Sequence, residues 1–162
     1  MVKEIPLTQG KVALVDDEDY ERLNQWKWSA ARYEDIWYAA RTECKKGKQI
    51  HYSMHREIMH TPKGMMTDHN NHNGLDNQRY NLRTCTNTEN NRNQQKQRKA
   101  CSSCFKGVYL HTINKNWVAR IKINRITSHI GCFPSEIQAA LAYDEKAKEL
   151  FGAFAHTNFI EV

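Results

Sequence analysis

Acidic residues are missing from a long stretch of the second half of the sequence, where no Asp or Glu occurs between Asn90 and Ser135. The basic residues of the same stretch are Arg92, Lys96, Arg98, Lys99, Lys106, Lys115, Arg120, Lys122 and Arg125. The absence excludes local neutralisation of these charges by ion pairs. Unrelieved positive charge beside aromatic residues favours a polyanion, and nucleic acid above all, as partner. The alternative is a solvated basic surface.

Long hydrophobic runs are also missing. No segment approaches the roughly 18 apolar residues that a membrane-spanning helix needs, so we expect no membrane partner. The first residues, MVKEIPLTQGKVALVDDEDYERL, contain no apolar block of signal-peptide length after their basic residue. Export is therefore not expected, and a cytoplasmic location follows.

Cysteine is sparse, with five residues in the chain. An odd number in a chain without an export signal argues against a disulfide framework. Cys101 and Cys104 have the spacing of half a zinc site, but a structural site needs four ligands. Cys85 or His111 could complete such a set, yet no second pair has suitable spacing. We therefore expect no structural Zn²⁺ and interpret these cysteines as incidental.

Short strand patterns dominate the first 53 residues. Acidic residues suit the N-terminus of a helix at Asp16–Asn24, because they complement the helix dipole. The predicted strands are Lys11–Val15, Trp26–Ala30, Ile36–Arg41 and Gln49–Ser53, the last two joined by a turn at residues 45–48. We expect Trp26, Trp28, Trp37 and Tyr38 to pack in the core. The sequence thus predicts an α+β fold that begins with a strand-rich segment, residues 1–53.

The final third of the chain has a regular pattern of three strands and a helix. The predicted strands are Gly107–His111, Trp117–Ile123 and Thr127–Phe133. In the middle strand, alternation places Arg120 and Lys122 on one face, opposite a mostly apolar face. A helix that begins after Ser135 and ends at Gly152 is expected to cover the apolar face, since three strands alone bury too little surface. The basic face is left for DNA.

A block of His, Asn and Asp in the middle of the chain combines the groups that phosphodiester hydrolysis requires. Such a reaction needs a base to activate water, a cation at the leaving oxygen and a group that holds the base. His69 is suited to be the base, while carboxylate and amide oxygens suit a hard cation. A strand at residues 82–84 can return beside the one that ends at Asp68, and Thr86 can cap a helix that carries Asn90 back towards it. The alternative is a cluster of Asn-rich turns without catalytic function.

At these residues, together with the run Leu75-Asp-Asn77 and Asn81-Leu-Arg83, the chain resembles the HNH homing endonucleases of phages and introns. The resemblance implies a ββα-metal module at residues 54–98. It assigns His69 as general base, Asn81 as the residue that orients the His69 ring, and Asp68 with Asn90 as ligands of one divalent metal. That metal is expected to be Mg²⁺, with Mn²⁺ as the alternative. Asn77 is expected to shape the loop, His72 to be a loop residue, and Met54-His55-Arg56 to form a helix under the site.

A second resemblance covers the C-terminal part of the chain. The segments Phe105-Lys-Gly-Val-Tyr109, Trp117-Val-Ala-Arg-Ile121 and Ala139-Ala-Leu-Ala-Tyr-Asp144 are similar to the apetala-two (ethylene-response-factor) DNA-binding domain. It implies a three-stranded sheet that lies in the major groove, backed by one helix, at residues 106–160 after a linker at 99–105. The DNA-facing set would be Lys106, Tyr109, His111, Arg120, Lys122, Thr127 and His129. Plant members have more Arg and Trp at these places, so backbone contacts are implied more strongly than base readout.

The two resemblances together predict a site-selective endonuclease of homing or phage type that hydrolyses double-stranded DNA. We expect it in the cytoplasm of a bacterial or phage-infected cell, as a monomer or a homodimer. The alternative is a regulator that binds specific DNA sequences and has no catalytic activity. An RNA-cutting protein is disfavoured, because both resemblances point to duplex DNA.

Overall fold

The structure, a computed structural model, describes residues 1–94, 96 and 101–159. The chain forms two compact units, Met1–Asn90 and Asn91–Val162. The predicted boundary after residue 53 falls inside the first unit. Arg98 of the basic stretch, residues 99 and 100 of the predicted linker and residue 160 lie outside the described residues. No helix in the described part of the chain is long and apolar enough to cross a membrane.

The first unit is built from short antiparallel strands and three helices, the last of which continues past the unit boundary at Asn90. Its elements are β1 (Val2–Pro6), β2 (Val12–Asp16), α1 (Asp17–Asn24), β3 (Ser29–Tyr33), β4 (Ile36–Lys45), β5 (Lys48–Ser53), α2 (Met54–Met59), β6 (Met66–His69), β7 (Leu82–Cys85) and α3 (Asn87–Asn93). The strands form three sheets, ordered β1-β2, β3-β4-β5 and β6-β7. The predicted mixture of strands and helices is thus confirmed, while β1 had not been predicted.

One hydrophobic core joins the N-terminal strands to the segment that carries the motif. Val15 of β2 and Leu23 of α1 are buried in the same cluster as Met54 and Ile58 of α2 and Leu82 of β7. Burial of such side chains is the main term that stabilises a fold of this size. The strand-rich segment is therefore part of the scaffold on which the motif is built.

Some predictions for individual residues of this unit are confirmed, and one is wrong. The turn between β4 and β5 is confirmed, with Lys46 and Gly47 at φ 50° and 75°, as a tight hairpin of two left-handed residues requires. Trp28 is buried, and its indole N–H donates to the carbonyl of Leu23 at 2.9 Å. Trp26 is 42% exposed, so its prediction as a core residue is wrong. Its ring instead contacts the guanidinium of Arg41, 4.4 Å from the ring centroid.

A buried carboxylate ties α1 to the chain that leads into β7. The side chain of Asp19 is 2% exposed and accepts hydrogen bonds from Arg79 Nε and Nη2 at 2.8 and 3.0 Å. Arg22 donates to the same carboxylate. Burial alone raises the pKa of Asp19, but the hydrogen bonds from Arg79 and Arg22 outweigh it and hold that pKa below its usual value. A buried charge of this kind stabilises a fold only while its partners remain in place.

The second unit contains a three-stranded antiparallel sheet and a long helix. Its elements are β8 (Val108–Leu110), β9 (Trp117–Ile123), β10 (Ile126–Phe133) and α4 (Glu136–Phe151), and the strand order is β10-β9-β8. The Ser135 hydroxyl accepts a hydrogen bond from Gln138 N at the start of α4. Ala139, Ala140 and Ala147 of α4 are fully buried against Val108, Ala119 and Ile121 of the sheet. The predicted order of three strands and a covering helix is confirmed.

Two contacts close this unit around its helix. Gly107 has φ 76°, and a Cβ atom there would lie 2.1 Å from the ring of Tyr143 on α4. Asp144 accepts hydrogen bonds from the backbone N–H and the side-chain amide of Asn158, at 2.8 and 2.9 Å. The Asn158 side chain in turn accepts from Lys106 N and donates to Lys106 O. Residues near the end of the chain are thereby fixed to the strand that begins after Gly107.

Gly107→Ala is expected to destabilise the second unit by more than about 3 kcal/mol, because it adds a clash with the Tyr143 ring to the strain of a left-handed conformation. Gly47→Ala is the matched control: its φ is 75°, and no atom lies within 4 Å of the added Cβ. The control should cost only about 1 kcal/mol. Hydrogen exchange in the full-length protein would measure the two costs, at the amides of β8 and β9 for Gly107→Ala and at those of β4 and β5 for Gly47→Ala. Equal protection in the Gly107→Ala and wild-type proteins would contradict the packing described.

Candidate active site

The two residues of the predicted Asp-His pair end β6. This strand pairs with β7, so that Asp68 is opposite Arg83 and His69 is opposite Leu82. Asp68 is 7% exposed and His69 5% exposed. The pair therefore lies at the end of a buried strand, on a scaffold that limits its movement.

The loop between β6 and β7 is closed by Asn81. Its side-chain oxygen accepts from Asn71 N at 2.9 Å, and its side-chain nitrogen donates to Asp76 O at 2.8 Å. The carbonyl of Asn81 also accepts from Asn70 N at 2.8 Å. Asn81 is 1% exposed, so these bonds replace water that cannot reach it. Asn81 shapes the loop, which is the task that we had predicted for Asn77.

Asn77 contacts the His69 ring. Its side-chain oxygen lies 3.3 Å from His69 Nε2, and Asn77 is fully buried. The role predicted for Asn81 stays a prediction, and Asn77 is a further residue placed to orient the ring. An amide oxygen can only accept a hydrogen bond, so the contact selects the form of the ring with its proton on Nε2. In the neutral ring, Nδ1 is then the unprotonated nitrogen.

The surroundings of His69 favour the neutral ring. Burial lowers the pKa of His69, while the hydrogen bond that the ring donates to Asn77 and the negative charge of Asp68 act in the opposite direction without cancelling it. A lowered pKa means that the imidazole is unprotonated near neutral pH. His69 is therefore in the state that a general base requires.

Asp68 is held by a guanidinium. Its Oδ2 atom accepts from Arg83 Nε at 2.9 Å and from Arg83 Nη2 at 2.7 Å. The residue opposite on the paired strand thus fixes the carboxylate that was predicted to bind a metal. Charge-assisted bonds of this kind are short and well oriented, and they keep the Asp68 side chain in one conformation.

Asn90, the second predicted metal ligand, lies half-buried on α3. That helix begins with a reciprocal cap: Thr86 Oγ1 accepts from Glu89 N at 3.2 Å, and Glu89 Oε2 accepts from Thr86 N at 2.7 Å. The prediction that Thr86 caps this helix is confirmed. Strands β6 and β7 and helix α3 follow one another in the chain, with Asp68 on β6 and Asn90 on α3. The Asp68 carboxylate and the Asn90 amide oxygen are hard donors, as Mg²⁺ and Mn²⁺ prefer.

Two aromatic side chains near His69 were not predicted as site residues. The His55 ring on α2 lies 5.0 Å from the His69 ring, edge to face, and the Tyr38 ring on β4 lies 5.8 Å away. Met54-His55-Arg56 had been predicted only as a helix that packs under the site. Nothing in the local sequence around Tyr38 distinguishes it from a core residue. Its place follows from the pairing of β4 with its neighbours, which brings a distant strand to the loop.

Most of the predicted DNA-facing residues of the second unit share one face of its sheet. Arg120 is opposite His129, and Lys122 is opposite Thr127; opposed residues of antiparallel strands project from the same face. All four are exposed. The Arg120 guanidinium lies 4.7 Å from the ring centroid of Tyr109. This group is called the basic face below, with members Tyr109, Arg120, Lys122, Thr127 and His129.

Two predicted residues do not belong to the basic face. Lys106 is largely buried, and its ammonium donates to the carbonyls of Arg92 and Gln94 at 2.7 and 2.6 Å. Burial lowers the pKa of Lys106 to about 8, against the opposing charge of Asp144. The DNA contact predicted for Lys106 stays a prediction, and its ammonium is engaged by backbone carbonyls within the unit. His111 follows β8 in a turn, where its Nδ1 accepts from Asn114 N at 3.4 Å.

Cys101 and Cys104, which have the spacing of half a zinc site, make other contacts. Cys101 Sγ donates to the carbonyl of Ser103 at 3.1 Å. Cys104 Sγ lies 4.0 Å from a carboxylate oxygen of Glu136. In the described stretches, no three His, Cys, Asp or Glu side chains are grouped as a metal site requires.

Comparison with known proteins finds a similar protein in Acanthamoeba polyphaga mimivirus, named as an uncharacterized HNH endonuclease. The two chains are 33% identical over 155 residues, which is 94% of this chain and 78% of the relative. A match of this extent includes the stretch from β6 to α3 as well as most of both units. No family model matches the chain.

The stability of the first unit is expected to fall as the pH is lowered from 7 to 5. Burial lowers the pKa of His55 to about 3, aided by the nearby His69 and Arg56. The unfolded chain, with histidine near 6.5, therefore binds more protons in the range between about 3 and 6.5. The stabilising contribution of the neutral His55 is therefore complete above that pH range. As the pH falls through the range, the free energy of unfolding decreases by up to ~1 kcal/mol per pH unit.

Thermal unfolding measured between pH 7 and pH 5 would test this, since carboxylates titrate mainly below that range. His55→Phe should flatten the dependence of Tm on pH. The exposed His51 provides the control, and His51→Phe should leave the slope unchanged. A His55→Phe protein with the wild-type slope would show that His55 does not contribute.

Proposed function

The chain belongs to the HNH endonuclease family, and from this premise we propose that it is a site-selective DNA endonuclease that hydrolyses phosphodiester bonds with one divalent metal. The observation that carries the proposal is the buried His69, whose Nε2 faces Asn77 while Asp68 precedes it on the same strand. In a neutral imidazole with its proton on Nε2, the unprotonated Nδ1 is the nitrogen that can act as base.

In the proposed reaction, His69 Nδ1 accepts a proton from a water molecule as the water oxygen attacks the phosphorus atom. The bond from phosphorus to the 3′-oxygen breaks, and the leaving oxygen takes a proton from solvent water, which leaves a 5′-phosphate and a 3′-hydroxyl. His69 afterwards releases its proton to solvent. Asn77 keeps the ring in the productive form throughout. Asn81 acts at a distance, because it holds the loop that presents Asn77.

Asp68 and Asn90 would hold the metal, which when bound stabilises the negative charge on the leaving oxygen. Their oxygen donors suit Mg²⁺, with Mn²⁺ as an alternative. Arg83 would keep the Asp68 carboxylate in place. The basic face of the second unit, which resembles the apetala-two domain, would hold the duplex mainly through its phosphates.

Further features of the proposal follow from the single site in each chain. One site cuts one strand at a time, so a monomer would nick DNA, and a double-strand break would need a homodimer or two visits. The homing or phage-type role and the cytoplasmic location remain predictions from the sequence.

A second candidate function is binding to DNA without catalysis. The observation that favours it is the contact between Arg83 and Asp68 Oδ2. A guanidinium on the carboxylate competes with a metal for the same oxygen. A regulator of this kind would bind duplex DNA through the basic face and would not cut it with any metal.

His69→Ala is expected to abolish cleavage of plasmid DNA in the presence of Mg²⁺, with a loss of roughly 10²–10⁴ in rate. DNA affinity should be nearly unchanged, because a general base contributes to the transition state and little to ground-state binding. Gel analysis of nicked and linear products would measure the rate, with circular dichroism as a check of the fold. His72→Asn is the matched control in the same loop, since asparagine tolerates the left-handed conformation of His72, φ 61°.

The control should cut at the wild-type rate. Wild-type protein that cuts no plasmid with Mg²⁺ or Mn²⁺ would favour the regulator. Wild-type cleavage by His69→Ala would remove His69 from the mechanism.

The salt dependence of DNA binding tests the basic face. In a His69→Ala background, the double variant Arg120→Gln, Lys122→Gln should lower the slope of log affinity against log salt by about 2, because each phosphate contact contributes roughly 0.9. Lys106→Gln should leave the slope unchanged and lower the stability instead, since that ammonium binds backbone carbonyls. Fluorescence anisotropy with a labelled duplex would measure the slopes, and thermal unfolding would measure the stability of Lys106→Gln. A reduced slope for Lys106→Gln, or an unreduced slope for the double variant, would contradict the assignment of the basic face as the DNA contact.

A further inference from the structure

Two side chains that the hydrolytic scheme does not use enclose the His69 ring. His55 contacts it edge to face, with 5.0 Å between ring centroids and 75° between ring planes. Tyr38 contacts it at 5.8 Å and 58°, and Tyr38 and His55 also contact each other at 5.8 Å. The three rings therefore form a closed triangle. His69 is bounded by two rings that come from elements outside the β6–β7–α3 segment.

Each of the two enclosing rings is fixed from behind. The loop backbone at Gly74 approaches Tyr38 so closely that a Cβ atom there would lie 2.6 Å from its ring. His55 belongs to a helix whose Met54 and Ile58 are fully buried. Arg56 of that helix donates to Met65 O at 2.8 Å, just before β6 begins. Neither ring can move away from His69 without disturbing the core or the loop.

The His55 ring is held by packing rather than by a hydrogen bond at its buried nitrogen. Its Nδ1 atom has no hydrogen-bond partner within the described part of the chain. An unsatisfied buried polar atom costs stability, and an apolar group of the same shape avoids that cost. His55 therefore acts on its neighbours through the shape of its flat ring.

We propose that His55, supported by Tyr38, is a positioning residue for His69. The contact between the rings keeps the imidazole in the one orientation in which Nε2 reaches Asn77 and Nδ1 faces the attacking water. The inference rests on the proposed role of His69 as general base. Its consequence for catalysis is large, because a displacement of about 1 Å at a reacting group costs up to ~10²-fold in rate.

Two variants of the full-length protein test the proposal through the kinetics of plasmid cleavage with Mg²⁺. His55→Ala removes the ring and should lower kcat by about 10- to 100-fold, with KM for DNA nearly unchanged. His55→Phe preserves the outline of the ring and should restore kcat to within about threefold of wild type. If His55→Ala does not fold, His55→Leu replaces it, since leucine fills the volume without a ring edge.

Nuclear magnetic resonance of the ¹⁵N-labelled imidazole of His69 provides a readout that a purely structural role would not change. The wild-type and His55→Phe proteins should show His69 as a single form with its proton on Nε2. His55→Ala or His55→Leu should show a mixture of the two neutral forms, because the ring can rotate away from Asn77. This signature does not depend on cleavage, so it separates failure of the positioning role from failure of the proposed function.

Two results would overturn the inference. A folded His55→Ala protein with wild-type kcat and an unchanged His69 spectrum would show that the ring is not needed. A His55→Phe protein as slow as His55→Ala would show that a nitrogen of His55, and not its outline, is required. Wild-type cleavage by His69→Ala would instead reject the proposed function.

Discussion

The candidate active site depends on a short stretch of backbone pairing between the N-terminal hairpin and the loop after β6. Leu14 N donates to Leu75 O, and Asn77 N donates to Leu14 O, both at 2.8 Å. This places Asn77 at a fixed distance from the end of β6, where its side chain meets His69. Strand β2 thus acts on the site without supplying a side chain to it. Strand β2, which contains no motif of its own, is for this reason part of the architecture of the candidate active site.

Burial determines the chemical state of the site. His69 is surrounded by other rings and by a buried amide, and the removal of water lowers its pKa more than the neighbouring charge of Asp68 raises it. Asp68 itself remains paired with Arg83. A neutral base beside a paired carboxylate is a stable arrangement in a low-dielectric setting, where an unpaired charge would be costly.

The basic stretch shows that one kind of residue serves different purposes in the same sequence. Arg120 and Lys122 are exposed on the basic face, where they are available to an anionic partner. Lys106 and Lys96 donate instead to backbone carbonyls, Lys96 to those of Ser103 and Phe105 at 2.8 and 2.6 Å. Positive charge counted along the chain therefore overstates the charge presented to a partner. Only the surroundings of each charged group in the folded chain distinguish the exposed residues of the basic face from Lys96 and Lys106.

The sequence by itself determined the features that arise from local patterns. The alternation of Trp117–Ile123 gave the correct two faces of β9, because side chains of a strand alternate whatever surrounds them. Thr86 predicted a helix start, since an N-terminal cap depends only on residues within the first turn. The spacing of Asp68 and His69 from a returning strand was enough to place both at the end of β6. These features depend on neighbours a few residues away.

The tertiary structure alone decided which of several similar residues meets which partner. Asn77 and Asn81 have the same side chain and lie in the same Asn-rich run, and only the pairing of Leu14 with residues 75–77 turns Asn77 towards His69. Tyr38 and His55 reach the same ring from β4 and α2, through the core that these elements share. Contacts of this kind join residues far apart in the chain. Their geometry is set by the packing of whole elements, which no local pattern encodes.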